Sequence, residues 1–323
     1  MRIVRFDNWS TGLLLGEDRV LDVSATVQRP EAVAPPAVQS VAPFFAPQSL
    51  DWAPMISAWP LVKPALEQLI ADASAGEPTA IVRDLHSVSL LPPLPSPTPR
   101  VFVMAANFAD HAARALSVIR GTPITEEQIL TEMRKALPSG FMAIPGTVTG
   151  QDGVVIAPPG HRMLDYEVEA AVVLTRRDGE VGYWGYTAWN DLSVRDHYFP
   201  GGPPIDAGPL VWALQKNFAT GNAAGPWMVV EDDFDPGDLE LRTWVNGEQR
   251  QEGSTADMIH SFNATVEHLS NYLPLGPGDM ITSGTPAGAA VEDGAGGRYL
   301  EPGDVVEIQV GSGGVLRTTV EKF

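Results

Sequence analysis

Two glutamates separated by one residue, Glu167 and Glu169, begin an apolar run that continues through residues 170–174. The run contains bulky and β-branched residues and precedes a turn-prone Arg-Asp-Gly, so it predicts a strand that becomes buried. Alternate residues of a strand point to the same face, about 6.5–7 Å apart, whereas on a helix the two side chains would diverge by about 200°. Burying two unpaired carboxylates together is costly. A hard divalent cation is the simplest partner, and a solvated strand edge is the alternative.

A third carboxylate follows another predicted strand. Asp191 comes just after Tyr186–Trp189, and at the end of that strand it could give an oxygen ligand to the same ion. The sequence contains no cysteine, and its histidines lie in separate segments. Three carboxylates in this setting favour Mg²⁺, Mn²⁺ or Ca²⁺ over Zn²⁺.

Three further positions could act on a substrate. Asp110 could cap a helix that begins at His111, which would place the imidazole at a strand-to-helix corner, although a half-exposed helical histidine is the alternative. Lys216 follows a loop rich in glycine and proline and could meet substrate charge, or it could be an ordinary surface lysine. The small residues of the loop 283–288 would let backbone N–H groups approach an anionic ligand, or they form a tight turn.

The elements that position these residues begin with short strands, predicted over Arg2–Phe6, Thr11–Leu15 and Arg19–Val23. Residues 24–60 are rich in proline and alanine and are expected to be irregular. A helix is predicted from about Leu61 to Ala75, with Gly76 as its end.

The proline-rich residues 91–99 predict a stiff connection between two domains. We therefore expect a small N-terminal domain over residues 1–90 and a larger domain over residues 100–323, with a lid at about 108–140. The main elements predicted for the larger domain are strands over Arg100–Ala105, Leu239–Val245, Glu248–Gln251 and Met280–Thr282, and helices over Thr125–Leu137 and Thr255–Leu269.

Composition narrows the classes of function. The chain has 323 residues, 44% of them hydrophobic, and a formal net charge of -19, which argues against nucleic acid and anionic membranes as partners. An anionic small substrate remains compatible, because a bound metal can invert the field locally. No apolar run approaches a membrane span, and the first residues lack a signal-peptide core, so we expect a cytoplasmic protein.

Several motifs occur in a specific order: Asn107-Phe-Ala-Asp-His111, Asp165-Tyr-Glu-Val-Glu169, Asn190-Asp191, Arg195-Asp196, Lys216, Asn246-Gly-Glu248, Pro277-Gly-Asp279 and Gly284-Thr-Pro-Ala-Gly288. In this order they resemble the fumarylacetoacetate hydrolase family over roughly residues 100–323. The resemblance implies an α+β, mostly β fold, in which a mixed β-roll C-terminal domain follows a small N-terminal β/α domain. It also implies a homodimer.

The resemblance assigns roles to single residues. It implies metal ligation by Glu167, Glu169 and Asp191, with Mg²⁺ as the expected ion and Mn²⁺ or Ca²⁺ as alternatives. His111 is the expected general base. Four residues are expected to bind the substrate, and the first of them is also expected to be catalytic: Lys216, Thr285, Asn107 and Arg195.

A metal bound to such a trio could stabilise the enolate of a 1,3-dicarbonyl compound or a 2-oxo acid. We therefore expect a hydrolase that cleaves a C–C bond in a β-diketone or acylpyruvate, with water activated by His111. Two alternatives stay open: a lyase or isomerase on the same fold, and a catalytically inactive member that binds a metal and a ligand.

Three positions depart from the family pattern. Arg114 stands where many members carry a glutamate that orients the histidine, Ala143 replaces a lysine, and Ala219 replaces an aspartate. We hypothesise that an acidic residue of the predicted lid helix orients His111 instead, with three candidates: Glu126, Glu127 and Glu132.

Overall fold

The structure, a computed structural model, describes residues 1–29, 36–46, 49–200, 211–232 and 234–322, without the side chains of residues 211–213. The predicted glycine- and proline-rich loop before Lys216 lies outside these residues from position 201 onward. In the part of the chain described, no helix is long and apolar enough to cross a membrane.

The first elements in chain order are β1 (Arg2–Phe6), β2 (Ser10–Leu15), β3 (Arg19–Asp22), α1 (Val23–Thr26), α2 (Pro36–Val41), α3 (Ala53–Ser57), α4 (Trp59–Ala75), β4 (Val82–Asp84) and β5 (Leu90–Leu91). They are followed by β6 (Val101–Met104), α5 (Ala109–Arg120), α6 (Glu126–Met133), β7 (Gly140–Ala143), β8 (Val148–Thr149), β9 (Gly153–Ile156), β10 (Leu164–Asp165), β11 (Val168–Arg177), β12 (Glu180–Asn190) and β13 (Ser193–Val194). The last are α7 (Val211–Lys216), β14 (Asn222–Val229), β15 (Glu240–Val245), β16 (Glu248–Ser254), α8 (Phe262–Ser270), β17 (Met280–Thr282), β18 (Val305–Val310) and β19 (Val315–Glu321).

The strand that carries Glu169, β11, lies inside a large mixed sheet. The sheet has the order β4-β3-β2-β1-β14-β12-β11-β17-β6-β7, and a second sheet has the order β16-β15-β18-β19-β9. β1 pairs antiparallel with β14, with Arg2 opposite Val229, so β1–β3 extend the sheet that carries the site. The domain limits at residues 1–90 and 91–99 stay proposals.

Residues 170–174 of β11 are buried on both faces of the sheet, which explains why all five of them are apolar. On one face, Val173 belongs to the same hydrophobic cluster as Trp59 of α4. On the other face, Val172 belongs to a cluster with Ile308 of the second sheet. The mixture of such sheets with separate helices confirms the predicted α+β class.

Several local predictions are confirmed. The first three strands agree with the predicted ones to within one residue at each end. Helix α4 ends at Gly76, whose φ of 75° is the left-handed conformation that glycine tolerates best. Thr125 and Gln128 form the predicted capping box at the start of α6, although this helix ends at Met133 rather than at Leu137.

Two expectations about helices are wrong. Within residues 24–60, the described part contains helices rather than only irregular chain, because Asp22 caps α1 through a 2.8 Å hydrogen bond from the N–H of Ala25 and a proline occupies the first turn of α3. Asp110 does not cap α5. The helix begins at Ala109, two residues before the predicted start at His111, with Phe108 at the N-cap position.

The helix predicted from Thr255 to Leu269 is interrupted. A short 3₁₀ helix ends at Asp257, and α8 begins only after Ser261, which caps it. Between them, Asn107 takes the backbone donors that a helix would use: its carbonyl accepts from the N–H of Ile259 at 2.8 Å, and its side-chain Oδ1 accepts from the N–H of His260 at 2.8 Å.

Candidate active site

Three buried carboxylates meet where β11 and β12 lie side by side. Oxygen atoms of Glu167, Glu169 and Asp191 lie within 4.8 Å of one another. The backbone holds them there, because the N–H of Asp191 donates to the carbonyl of Glu167 at 2.9 Å and the N–H of Glu167 donates to Oδ1 of Asn190 at 3.0 Å. The predicted trio is thus brought together by pairing of antiparallel strands.

Two buried cations contact this trio. Lys216, at the end of α7, donates to the carboxylate of Glu167 and, at 2.6 Å, to Oδ2 of Asp191. Arg195, just after β13, donates to Glu167 and, through Nε at 3.1 Å, to Oδ2 of Asp165. Both cationic side chains are therefore already paired with carboxylates.

The site holds more negative than positive charge. Four carboxylates are buried around two buried cations, and two carboxylate oxygens, Oε2 of Glu169 and Oδ1 of Asp191, are buried without a hydrogen-bond partner among the described residues. Unpaired buried anionic oxygens are costly, and carboxylate oxygens are ligands that Mg²⁺, Mn²⁺ and Ca²⁺ prefer. The donor set therefore fits a hard divalent cation held by Glu167, Glu169 and Asp191.

The pKa values of the trio show the same imbalance. Burial raises the pKa of Glu169 well above its usual range, and neighbouring Asp191 and Glu167 raise it further. Burial likewise raises the pKa of Asp191, to about 6, although Lys216 opposes the shift. Burial would also raise the pKa of Glu167, but Arg195 and Lys216 outweigh it and lower that pKa to about 2.

His111 faces the trio from the first turn of α5. Its Nε2 lies 3.5 Å from Oε1 of Glu167, and its Nδ1 lies 2.8 Å from Oε1 of Glu292. Because the carboxylate of Glu292 accepts, Nδ1 carries a hydrogen, and in the neutral imidazole the lone pair is on Nε2, which faces the site. Burial lowers the pKa of His111, but Glu292 and Glu167 outweigh it and the net shift is upward.

Glu292 is itself held firmly. It lies in a 3₁₀ helix, Ala290–Gly296, and its Oε1 also accepts from the backbone N–H groups of Gly288, at 2.9 Å, and Ala289, at 3.2 Å. The hypothesis that α6 supplies the partner of His111 is wrong, because Glu126, Glu127 and Glu132 are exposed to solvent. Arg114 lies with Nη1 3.6 Å from Oε2 of Glu292 and is 60% exposed.

A cavity of about 110 Å³ connects these groups. The predicted site residues that line it are His111, Glu167, Glu169, Asp191, Arg195, Lys216 and Thr285. Asn107 does not line it among the described residues. Its amide nitrogen donates instead to the backbone carbonyls of His260, at 3.0 Å, and Ser283, at 2.8 Å.

The fumarylacetoacetate (FAA) hydrolase C-terminal family model matches residues 100–321. The chain belongs to the fumarylacetoacetate hydrolase family.

Two relatives and one solved structure of the same fold resemble this chain. An uncharacterized protein of Archaeoglobus fulgidus is 32% identical over 247 residues, which are 74% of this chain and 84% of that protein. A 4-hydroxyphenylacetate degradation bifunctional isomerase/decarboxylase of Escherichia coli is 30% identical over 243 residues, 72% of this chain and 49% of that protein. Maleylpyruvate hydrolase from Sphingobium sp. SYK-6, solved with manganese(II) and pyruvate, shares the fold at a TM-score of 0.65 and 22% identity, covering 100% of this chain and 99% of that one.

This family member contains two site residues that sequence reasoning did not assign. Glu292 lies far from His111 in sequence, and only the fold brings it to the imidazole. Asp165 accepts from Arg195 and from the backbone N–H groups of Ala290, at 2.7 Å, and Val291, at 3.2 Å. Asp165 therefore ties Arg195 to the segment that carries Glu292, and its place in the Asp165–Glu169 motif was the available signal.

Proposed function

We propose that the protein is a divalent-metal-dependent hydrolase that cleaves a C–C bond in a β-diketone or acylpyruvate. The observation that carries this proposal is the His111–Glu292 pair, which points a basic imidazole nitrogen at the carboxylate trio from inside one cavity. We take Mg²⁺ as the expected ion, with Mn²⁺ or Ca²⁺ as alternatives. The homodimer implied by the family resemblance belongs to the same proposal.

The trio would hold the metal, and a bound divalent cation supplies an electron sink for the enolate of a 2-oxo acid. His111 Nε2 takes a proton from water, and the resulting hydroxide adds to the acyl carbonyl carbon. Glu292 stabilises the imidazolium that forms. The bond between the acyl carbon and the methylene then breaks, and its electron pair stays on the methylene as an enolate.

Two groups of the chain complete the reaction. Lys216, already close to the trio, offsets the negative charge of the enolate. His111 returns the proton to the methylene carbon, so that water is divided between the two products. The products are a carboxylic acid from the acyl part and a 2-oxo acid with a new methyl group. Arg195 keeps Glu167 ionised and in place through its paired guanidinium.

An isomerase or decarboxylase is the second candidate. It is supported by the 30% identity to the Escherichia coli isomerase/decarboxylase and by the same electron sink, which serves decarboxylation and keto–enol exchange as well as hydrolysis. Only the hydrolase adds water to the acyl carbon, and this step distinguishes it from an isomerase and from a decarboxylase.

The test is metal-dependent turnover. The protein is stripped with EDTA, returned to Mg²⁺ or Mn²⁺, and assayed on acylpyruvates, β-diketones and oxaloacetate beside a His111→Ala variant. The proposal expects metal to restore formation of a carboxylic acid and a 2-oxo acid, and His111→Ala to lower the rate by about 10²–10⁴-fold. Release of CO₂ without acyl cleavage would favour the second candidate. No turnover with tightly bound metal would favour an inactive ligand-binding member.

A further inference from the structure

The cavity has a second wall that the proposed chemistry does not use. Its residues are apolar, and we call them the apolar wall: Ala112, Ala115, Leu116, Ile119, Phe141 and Val291. The first four recur at the spacing of one helix face. Since an α-helix rises 1.5 Å per residue, Ile119 lies about 12 Å along α5 from His111. The cavity therefore leads from the carboxylate trio along an uncharged surface.

Both cationic residues of the cavity lie at its metal end, beside the carboxylate trio, and neither lies along the apolar wall. Lys216 is paired with Glu167 and Asp191, and Arg195 with Asp165 and Glu167. The described lining contains no other lysine or arginine.

Three further parts of the sequence add no cation to the cavity. Residues 201–213 contain no lysine, arginine or histidine in the sequence. Arg114 lies on α5 outside the described lining, with its guanidinium directed at Glu292. Arg120, at the end of α5, is exposed and also lies outside the lining.

These features determine whether the remote end of a bound ligand should be charged or apolar. Methylene groups packed against the apolar wall leave water favourably, whereas a carboxylate packed there would lose its hydration without gaining a cation or a donor from the wall. Tyr198 and Gln215 also line the cavity, but the hydroxyl of Tyr198 already donates to Oε1 of Gln215 at 3.0 Å. The same wall would therefore bind two ligands with identical metal-binding ends differently, according to whether the other end is charged.

Resting on the proposed function, we propose that the substrate is a 2-oxo acid whose remote end is an uncharged apolar chain, selected over the matching dioic acid by the apolar wall. Leu116 and Ile119 are the specificity-determining residues at its far end. Both are half-buried rather than fully enclosed, so each position tolerates a longer side chain.

The test measures binding to the full-length protein loaded with Mn²⁺. The two probes are N-butyl oxamate and N-(3-carboxypropyl)oxamate, which share one metal-chelating end and differ at the other. Calorimetry is expected to give a Kd about tenfold or more lower for the butyl compound. Equal affinities, tighter binding of the carboxylated probe, or no binding of either would overturn the inference.

Matched variants sharpen the measurement. Ile119→Arg places a cation at the far end of the wall and is expected to strengthen binding of the carboxylated probe about tenfold, with oxamate itself unchanged. Leu116→Lys is a second variant with the same expectation. Leu61→Arg, on α4 at a position 55% exposed and outside the cavity, adds equal charge and is expected to change neither Kd. A gain in Leu61→Arg equal to that in Ile119→Arg would overturn the role of the wall.

Turnover separates this inference from the proposed function. Alkyl 2,4-dioxo acids and their dioic counterparts are assayed with the same protein. If the butyl probe is preferred but no dioxo acid is cleaved, the wall inference stands and the hydrolase proposal fails. If dioxo acids are cleaved and the dioic ones are cleaved as well as the alkyl ones, the hydrolase proposal stands and the wall inference fails.

Discussion

Arg5 and Glu169 are both almost fully buried ionisable side chains, and their surroundings differ. The guanidinium of Arg5 donates to the carbonyls of Trp9, at 3.1 Å, and Leu50, at 2.8 Å, and it lies 4.0 Å from the ring of Trp52. Burial lowers its pKa to about 9, which still leaves it charged at neutral pH. Glu169, by contrast, has other carboxylates as neighbours and one oxygen without a partner.

The difference separates two uses of a buried charge. A guanidinium that donates to carbonyls of the chain ties β1 to segments distant in sequence, although its Nε has no hydrogen-bond partner among the described residues. A cluster with excess charge of one sign and unpaired oxygens is complete only with something from outside the chain. The first arrangement serves stability, and the second serves binding.

Removing one charge from the trio is expected to have the largest effect. Glu169→Gln keeps the size of the side chain but removes a ligand, so metal-dependent kcat/KM should fall by about 10³-fold or more, the equivalent of several kcal/mol. Because repulsion with Asp191 and Glu167 is relieved, the metal-free protein should become more stable by about 1 kcal/mol. Turnover and thermal unfolding in EDTA measure both. If the metal-free variant had a lower Tm than the metal-free parent, the contrast between Arg5 and Glu169 would be contradicted. Glu240→Gln, at an exposed position of β15, is the control.

The opposite result is expected at Arg5. Arg5→Met leaves several buried carbonyls without donors, so the free energy of unfolding should fall by about 3 kcal/mol, while kcat of the folded protein stays within about twofold of the parent value. Urea denaturation and steady-state kinetics measure the two quantities. Arg2→Met on the same strand is the control, because Arg2 makes an exposed hydrogen bond and should cost about 0.5 kcal/mol. A large loss of kcat in folded Arg5→Met would show that the two centres are coupled.

The partner of His111 is expected to affect the rate but not substrate binding. Glu292→Gln retains an acceptor for Nδ1 but removes the charge that stabilises the imidazolium, so kcat should fall about 10²-fold with KM unchanged. Glu126→Gln on α6 should leave both constants unchanged, since Glu126 is exposed. If Glu126→Gln lowered kcat as much as Glu292→Gln, the assignment of the partner would be overturned.

The smallest effect is expected at Asn217. Its side chain accepts from the N–H of Ile144 at 2.6 Å and donates to the carbonyl of Met142 at 3.2 Å. These two hydrogen bonds hold the end of β7 against the residue that follows Lys216. Asn217→Ala should lower kcat/KM about threefold, because Phe141 and Lys216 would be held less firmly. Gln249→Ala removes an exposed hydrogen bond of β16 and serves as the control. Equal small losses in both variants would show that the contact has no role in the site.

Much of the site could be predicted because its ligands follow local rules. Glu167 lies just before β11 and Glu169 within it, and Asp191 directly follows β12, the next strand along the chain. The pairing of β11 with β12 therefore brings the three carboxylates near one another. The capping box at Thr125 and the glycine at position 76 are likewise signals that lie within a few residues.

The remaining features depend on contacts between distant segments. The break before α8 exists because Asn107 binds the backbone of Ile259 and His260. The periodicity of residues 255–269 gives no indication of this distant partner. Glu292 contacts His111 although about 180 residues separate them in sequence, and a glutamate in a glycine-rich segment is most often exposed to solvent. The sequence therefore favours the acidic residues of α6, which lie closer to His111 in sequence, as its partner, although in the structure they face water.

The pairing of β1 with β14 has a consequence for the order of events during synthesis. β1 ends at Phe6 and β14 begins at Asn222, so β1 waits for its neighbour while about 200 further residues are added, which takes on the order of ten seconds or more at typical elongation rates. Until then β1 pairs only with β2 and, through Arg5 and Phe6, with β5, so the edge of β1 at Arg2 and Ile3 stays open to other chains. Slow elongation or crowded ribosomes should therefore increase aggregation of nascent chains, and that aggregation should cease once β14 has emerged.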